Sequence, residues 1–367
     1  MRILYVTTVG ITMRFFTHFI KKLIDEGNFV DIATNEEGGE VPVCYREWGC
    51  SIYHIPTSRS PLKKDNIAAI GSIKKICREK NYEVVHCHTP VAAMCTRLAC
   101  RSFRKKGMKV VYTAHGFHFF KGAPKKNWLL FYPIEKVCSL FTDVLVTINK
   151  EDYMLAAKKM RAKKIVYIPG VGIDVIQYSH VNTDRNEKRQ AIGVPKDVKV
   201  LLSVGELNKN KNHEVIIRAM GELNQKEVHY VIVGKGELYE YLFDLSRKMN
   251  VHGRVHLLGY RNDVSELYRM ADIFVHPSYR EGLPVSVMEA MASGLPIIGS
   301  KIRGNVDLIE QCNGLCCEPN DVSGFAEAIQ YCCEMLDKGN FSPENSKRVA
   351  SEYGIETINE MLIDLYK

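Results

Sequence analysis

No apolar run in this chain approaches the ~20 residues that a membrane-spanning helix needs, so a helical span is excluded. The apolar start, Met1-Arg-Ile-Leu-Tyr-Val-Thr-Thr, is too short for a secretory leader and reads as a first strand. The cytosol is the expected compartment. The three-glycine dinucleotide fingerprint is missing as well, because only Gly10 follows that strand, in Thr8-Val-Gly-Ile-Thr-Met. No glycine loop continues into Gly-Lys-Ser/Thr, which excludes a P-loop. The twelve cysteines contain no C-x2-C pair, and Cys316-Cys317 and Cys332-Cys333 are adjacent, so a zinc site is not indicated. They read as buried thiols in a reducing compartment. No nucleic-acid reading module is present, so the net charge of +8 points instead to phosphate-bearing ligands or an anionic membrane surface.

What is present is strand and helix in alternation. The 367 residues, 46% of them hydrophobic, are enough for two cores. Apolar runs at Arg2–Thr8, Phe29–Thr34, Ser51–Ile55, Val84–Val85, Lys109–Thr113, Asp143–Ile148 and Ile165–Ile168 predict the strands of one α/β half. Runs at Val198–Val204, Val228–Val233, Val255–Leu258, Ile273–Val275 and Ile297–Ser300 predict a second. This pattern calls for parallel sheets covered on both faces. The stretch 175–195, rich in Asn, Asp and Arg and ending at Gly193-Val-Pro195, reads as the linker. The expected domains are 1–178 and 185–345, and residues 346–367 form a C-terminal helix that crosses back to the first domain.

The chemistry gathers after the strand Ile273–Val275. There the chain reads Ser278-Tyr-Arg-Glu281-Gly282-Leu283-Pro284-Val285-Ser-Val-Met-Glu289-Ala-Met-Ala-Ser-Gly294-Leu-Pro296. Glycine and proline break the chain, and a helix is predicted from about Val285. The N–H groups of Gly282 to Ser286 have no intrahelical partners and can hold an anion. Glu281 and Glu289 can accept from hydroxyl groups, although carboxylates near a helix start also read as partners of its dipole. Lys209 and Lys211, after the turn at Gly205, suit a phosphate at a helix mouth or simply point to water. Gly234 and Gly236 form a second turn at a strand end. Gly10 reads either as a plain turn or as a close approach to a ligand.

His115 follows a strand at the edge where α/β sheets bind ligands, and it can donate to a ligand oxygen or be a packed histidine. His86, His88 and His118 share that ambiguity, and the histidine spacing matches no zinc signature. Lys121 to Pro133 joins lysines to an aromatic run, which suits an anionic membrane interface or a loop feeding a core helix.

The segment Glu281 to Pro296 resembles the E-x7-E signature of retaining glycosyltransferases of family 4, glycosyl transferases group 1. Gly205-Glu-Leu with Lys211, Gly234-Lys-Gly236 and Gly259-Tyr260-Arg261-Asn-Asp263 recur in that family too. Thr113-Ala-His-Gly-Phe-His-Phe-Phe120 and Ile148-Asn-Lys-Glu-Asp152 look most like bacterial transferases that build capsule, exopolysaccharide or glycan on polyprenyl diphosphate. The resemblance covers nearly the whole chain. It implies the α/β GT-B fold, two Rossmann-like domains whose parallel sheets face across a cleft, with the acceptor on the first and the nucleotide sugar on the second.

Carried over, Lys211 contacts the diphosphate, Glu289 the ribose hydroxyls and Glu281 the transferred sugar. The backbone of Gly282, Leu283, Pro284 and Val285 meets phosphate together with the turns at Gly205, Gly234 and Gly236, while Tyr260 and Arg261 lie by the base. His115 lies near the reacting sugar and Gly10 in the first loop. The implied donor is a UDP-sugar, with no metal or other cofactor. The implied acceptor is a saccharide on polyprenyl diphosphate, taken at the inner face of the plasma membrane, with other polysaccharide-assembly enzymes as partners and no nucleic acid. One departure is Glu206, where the family usually has arginine. Either Lys209 or Lys211 carries the duty, or Glu206 turns away. Two other readings remain: a sugar-nucleotide epimerase of the same fold, which would change its donor without an acceptor, and a partner-binding protein with a decayed site.

Overall fold

The computed structural model of the protein describes residues 1–58, 60–223, 227–312 and 314–367. The chain divides into two compact units, Met1–Val171 with Ile355–Lys367, and Gly172–Gly354. In the first unit the strands are β1 (Arg2–Val6), β2 (Phe29–Thr34), β3 (Ile52–His54), β4 (Val84–His88), β5 (Lys109–Ala114), β6 (Val144–Thr147) and β7 (Lys164–Tyr167). They lie in the order β3-β2-β1-β4-β5-β6-β7, parallel throughout. In the second unit they are β8 (Lys199–Val204), β9 (Val228–Val233), β10 (Val255–Leu257), β11 (Ile273–His276), β12 (Ile297–Ser300) and β13 (Leu315–Cys317). Their order is β10-β9-β8-β11-β12-β13, again parallel.

β1 shows why these strands are largely apolar. Ile3 and Tyr5 enter one core with Met13, Phe16 and Phe19, while Leu4 and Val6 enter the opposite core with Ile73 and Val91. Side chains alternate across a sheet, so a strand covered on both faces has no polar side to offer. Parallel pairing also sends the carboxyl ends of all strands in a unit to one edge. Gly10, Thr89 and His115 share that edge in the first unit. The loops following β8, β9, β10 and β11 share it in the second.

The expected linker is largely helical and belongs to the second unit. Asp174 caps the helix Val175–Ser179 by accepting from Gln177 N at 3.0 Å, and Asp184 caps Arg185–Ala191 by accepting from Glu187 N at 2.9 Å. Arg189 is buried, where it donates to Met270 O and to Asp272. Caps and one buried guanidinium therefore produced the polar composition that resembles a linker. The expected helix from Ser346 to Leu365 is two helices, Pro343–Ser351 and Ile355–Ile363, broken at Gly354 where the chain passes between units. Residues 355–367 pack in the first unit, with Ile358, Leu365 and Tyr366 in the same core as Phe19 and Leu23.

A buried ion pair fastens the helix Pro90–Arg104 to the helix Lys125–Ser139. Arg97 donates to Glu135 at 2.8 Å, lies over the Tyr112 ring at 4.2 Å, and is fully buried. Tyr112 donates to the other Glu135 oxygen at 3.2 Å. With Glu135 turned inward, Leu129 is left 79% exposed on the opposite side. Removing one member of such a pair strands the other charge. Arg97→Met is therefore expected to lower the stability of the first unit by about 3–5 kcal/mol in urea unfolding, and Arg97→Met with Glu135→Leu to recover most of it.

Candidate active site

The second unit assembles its polar residues where three loops leave β8, β9 and β10. Their backbones are cross-linked: Gly205 N donates to Val233 O at 2.9 Å, Leu207 N to Lys235 O at 3.0 Å, and Gly234 N to Gly259 O at 2.9 Å. A Cβ on Gly234, which has φ +152°, would stand 1.9 Å from Gly205 O, and one on Gly236 would stand 2.3 Å from Leu207 O. Close approach of protein backbone to itself thus requires both glycines. Gly205 leaves room for the Lys211 stem, whose Cε would be 3.1 Å from a Cβ there.

Lys211 is aimed by its neighbours. Its N–H donates to Asn208 Oδ1 at 3.0 Å, and Asn212 takes a left-handed conformation with φ 53°. Asn212 Nδ2 donates to Pro277 O at 3.1 Å and to Pro319 O at 2.8 Å, and Tyr279 N donates to Asn210 O at 2.8 Å. The loop after β8 is thereby tied to the loop after β11, and Lys211 Nζ reaches Glu281 Oε1 at 2.7 Å. The same oxygen lies 3.3 Å from Nε2 of His276, the last residue of β11. Burial pushes the Glu281 carboxyl up. The His276 hydrogen bond and the charge of Lys211 outweigh it and hold the group well below the ordinary carboxylate range. Burial lowers His276, and its hydrogen bond with Glu281 opposes that shift.

Glu289 lies one turn into the helix Val285–Ala292, and tyrosines occupy both of its oxygens. Tyr178 donates to Oε1 at 2.8 Å and Tyr268 to Oε2 at 2.9 Å. Burial raises this carboxyl and the two hydroxyls oppose the shift. Each carboxylate oxygen keeps a further lone pair for a ligand hydroxyl. The backbone from Gly282 through Leu283 and Pro284 leads into the first turn at Val285, whose N–H groups have no carbonyl four residues back. The turn at Gly304, with φ +78°, presses on this segment: a Cβ there would stand 2.3 Å from Gly282 O.

The other expected site residues are placed differently. Glu206 is exposed and accepts from Asn208 Nδ2 at 2.8 Å, so it turns to solvent. Tyr260 is 62% exposed on the loop after β10. Arg261 is engaged by Asp263 through both Nε, at 2.8 Å, and its terminal nitrogen, at 2.5 Å. Gly10 and His115 belong to the first unit. A Cβ on Gly10 would stand 2.4 Å from Gly39 O, so packing within that unit accounts for this glycine. His115 is half-buried beside Gly116, which has φ +126°, and burial lowers its imidazole to about 4. His86 is fully buried between Thr113 and Tyr366, and His118 stacks on Phe131 at 4.4 Å.

Three residues that hold these carboxylates were not singled out from the sequence: His276, Tyr178 and Tyr268. His276 had a signal, because it ends the strand that enters the glutamate segment. Tyr178 was hidden in the expected linker. A cavity of about 740 Å³ lined by Arg185, Arg189, Lys196 and Asp272 lies at the other edge of this sheet, beside Lys199 and Val228, where β8 and β9 begin. Arg185 and Arg189 are both engaged by Asp272 there, so the cavity does not mark the chemistry.

Glu281 has a folded pKa below its unfolded one, so its contribution is present above the ordinary glutamate value near 4.5 and is lost as pH falls. Urea unfolding is expected to show Glu281→Gln less stable than the native chain at pH 7. That gap should close progressively below about pH 4.5.

Comparisons with known proteins identify the family and the fold. The profile for Glycosyl transferases group 1 matches residues 184–348, and that for Glycosyl transferase 4-like matches residues 2–149. The chain is 35% identical over 319 residues to EpsD of Bacillus subtilis, a protein named as a glycosyltransferase, covering 86% of this chain and 84% of EpsD. It is 29% identical to the UDP-Gal:alpha-D-GlcNAc-diphosphoundecaprenol alpha-1,3-galactosyltransferase of Escherichia coli, covering 86% of this chain and 83% of that one. The crystal structure of Anabaena HepE in complex with UDP superposes with a TM-score of 0.82 at 19% identity, over 100% of this chain and 99% of that chain. The chain belongs to the glycosyl transferases group 1 family and is a glycosyltransferase with the GT-B fold.

Proposed function

We propose that the protein moves a hexose or N-acetylhexosamine from a UDP-sugar to a saccharide carried on polyprenyl diphosphate, with retention of configuration, in the synthesis of a cell-surface polysaccharide or glycan. The observation that carries this reading is the Lys211–Glu281 pair, at 2.7 Å, beside the start of the helix Val285–Ala292. The E. coli relative, whose name states a UDP-galactose donor and a diphosphoundecaprenol-linked acceptor, supports the substrate classes, as does the UDP complex of HepE.

In this reading the bond between the anomeric carbon and the β-phosphate oxygen breaks while the acceptor oxygen bonds to that carbon. Negative charge grows on the departing diphosphate, which the Lys211 ammonium and the N–H groups of Gly282, Leu283 and Val285 stabilise. No metal is assigned to this neutralisation. The acceptor hydroxyl passes its proton to an oxygen of the leaving diphosphate, which lies on the same face of the sugar. That route gives retention without a protein nucleophile. Glu281 holds hydroxyls of the transferred sugar, Glu289 the ribose hydroxyls, and Tyr260 the base. His115 donates to an oxygen of the reacting sugar or the acceptor.

The acceptor class implies work at the cytoplasmic face of the membrane. Supporting this is the helix Lys125–Ser139, where Leu129 and Val137 are 79% and 53% exposed, with Leu140 just after it 48% exposed and Lys121, Lys125 and Lys126 nearby in sequence. The aromatics of the same stretch turn inward, with Trp128 and Tyr132 against Phe119. Among the described residues no helix is long and apolar enough to cross a membrane. The full chain is therefore expected to sediment with anionic vesicles and not with neutral ones, and Leu129→Glu to weaken that binding.

Isotope-labelled UDP-sugars incubated with the purified protein and a membrane extract test the central reading. Label should enter the lipid fraction, and Lys211→Ala and Glu281→Gln should each lower that rate by about 100-fold or more. Conversion of the donor with no acceptor present would mean an epimerase. Label that never reaches lipid would sink the acceptor assignment.

A further inference from the structure

Behind His115 the first unit buries a row of rings. His115 Nε2 lies 3.1 Å from Nδ1 of His88, the last residue of β4. His88 is 2% exposed, and its ring is boxed in by Phe16 and His86, each at 4.2 Å, and by Tyr5 at 5.1 Å. His86 in turn is held at both nitrogens, Nε2 by the Thr113 hydroxyl at 2.8 Å and Nδ1 by the Tyr366 hydroxyl at 2.5 Å. Lys109 secures the end of the chain by donating to the carbonyls of Leu365 and Tyr366, each at 3.3 Å. Neither His88 nor the ring behind it has room to turn.

The contact between two imidazoles holds one proton when both are neutral, and the remaining atoms decide whose it is. Burial lowers His115 to about 4 and His88 well below the usual imidazole range, so both are neutral at pH 7. Among the described residues, the second nitrogen of His88, Nε2, is buried without a hydrogen-bond partner. Buried N–H groups without an acceptor are rarer than buried lone pairs without a donor. The His88 proton therefore sits on Nδ1 and is donated to His115 Nε2. That leaves the proton of His115 on its own Nδ1, at the other edge of the ring.

We propose that His88 is a positioning residue that fixes the tautomer of His115, so that His115 presents an N–H at Nδ1 and no basic lone pair. The proposal rests on the assignment of His115 to the transfer reaction. It adds a direction to that role: His115 can donate to a sugar or acceptor oxygen, but it cannot take the acceptor's proton at that atom. The leaving diphosphate is then left as the group that takes it.

Long-range proton–nitrogen NMR on the full chain labelled with ¹⁵N-histidine, with His115 identified by its loss in His115→Ala, reads the tautomer directly. The native protein should show a protonated Nδ1 and an unprotonated Nε2 at His115. His88→Leu should release the proton to exchange between the two nitrogens. His88→Asn keeps a side-chain N–H near the Nδ1 position and should restore the native signature. In sugar transfer, His88→Leu should lower kcat about tenfold while the KM for donor moves less than about twofold, and His88→Asn should recover much of the loss. A native His115 protonated at Nε2 overturns the proposal, as does an unchanged tautomer in His88→Leu. Should the leucine variant not fold, the native spectrum alone decides. If the tautomer behaves as described but His115→Ala transfers sugar at the native rate, the failure lies in the assignment of His115 to the reaction and not in the His88 contact.

Discussion

A carboxylate that stays ionised while mostly removed from water must be compensated on the spot, and Glu281 meets that demand with Lys211 and His276. The pair also explains the local architecture. Lys211 comes from the loop after β8, Glu281 and His276 from the end of β11, and these strands are neighbours in the sheet. Asn210, Asn212 and Tyr279 stitch the two loops together around it. The ammonium has three donors and the carboxylate several lone pairs. Each can keep its partner and still offer an atom to a ligand, so the contact orders the site without closing it.

Glu289 follows the same logic with neutral partners. Two tyrosine hydroxyls, from the helices Val175–Ser179 and Val264–Met270, donate to a carboxylate that burial pushes upward, and they oppose that push. One carboxylate is thus held low by a hydrogen bond and a cation, while the other is raised by burial against two opposing hydroxyls. Their environments differ because Glu281 lies in a loop beside a cation, while Glu289 lies on a helix against two tyrosines.

The glycines carry a caution about reading function from residue type. Gly10, Gly234 and Gly236 lie at strand ends where a ligand could approach, yet in each case a Cβ would strike the protein's own backbone. Their first duty is to let neighbouring loops pack. Any nearness to a ligand follows from where those loops lie.

Much of the protein was legible from local pattern. Continuous apolar runs marked the strands because both sheet faces are buried, and the turn before Val285 marked a helix start beside two carboxylates. These signals are local: periodicity, a glycine, a proline, the spacing of two glutamates. The partners of those glutamates were not legible, since Tyr178 is 111 residues from Glu289 and Lys211 is 70 from Glu281. The burial of Arg97 against Glu135 was likewise decided by packing. Composition and periodicity mark most strands and many of the helices, and which faces are apolar. Only the folded chain decides which distant side chains share a low-dielectric site, and there a proton or a charge is held by neighbours that no local pattern names.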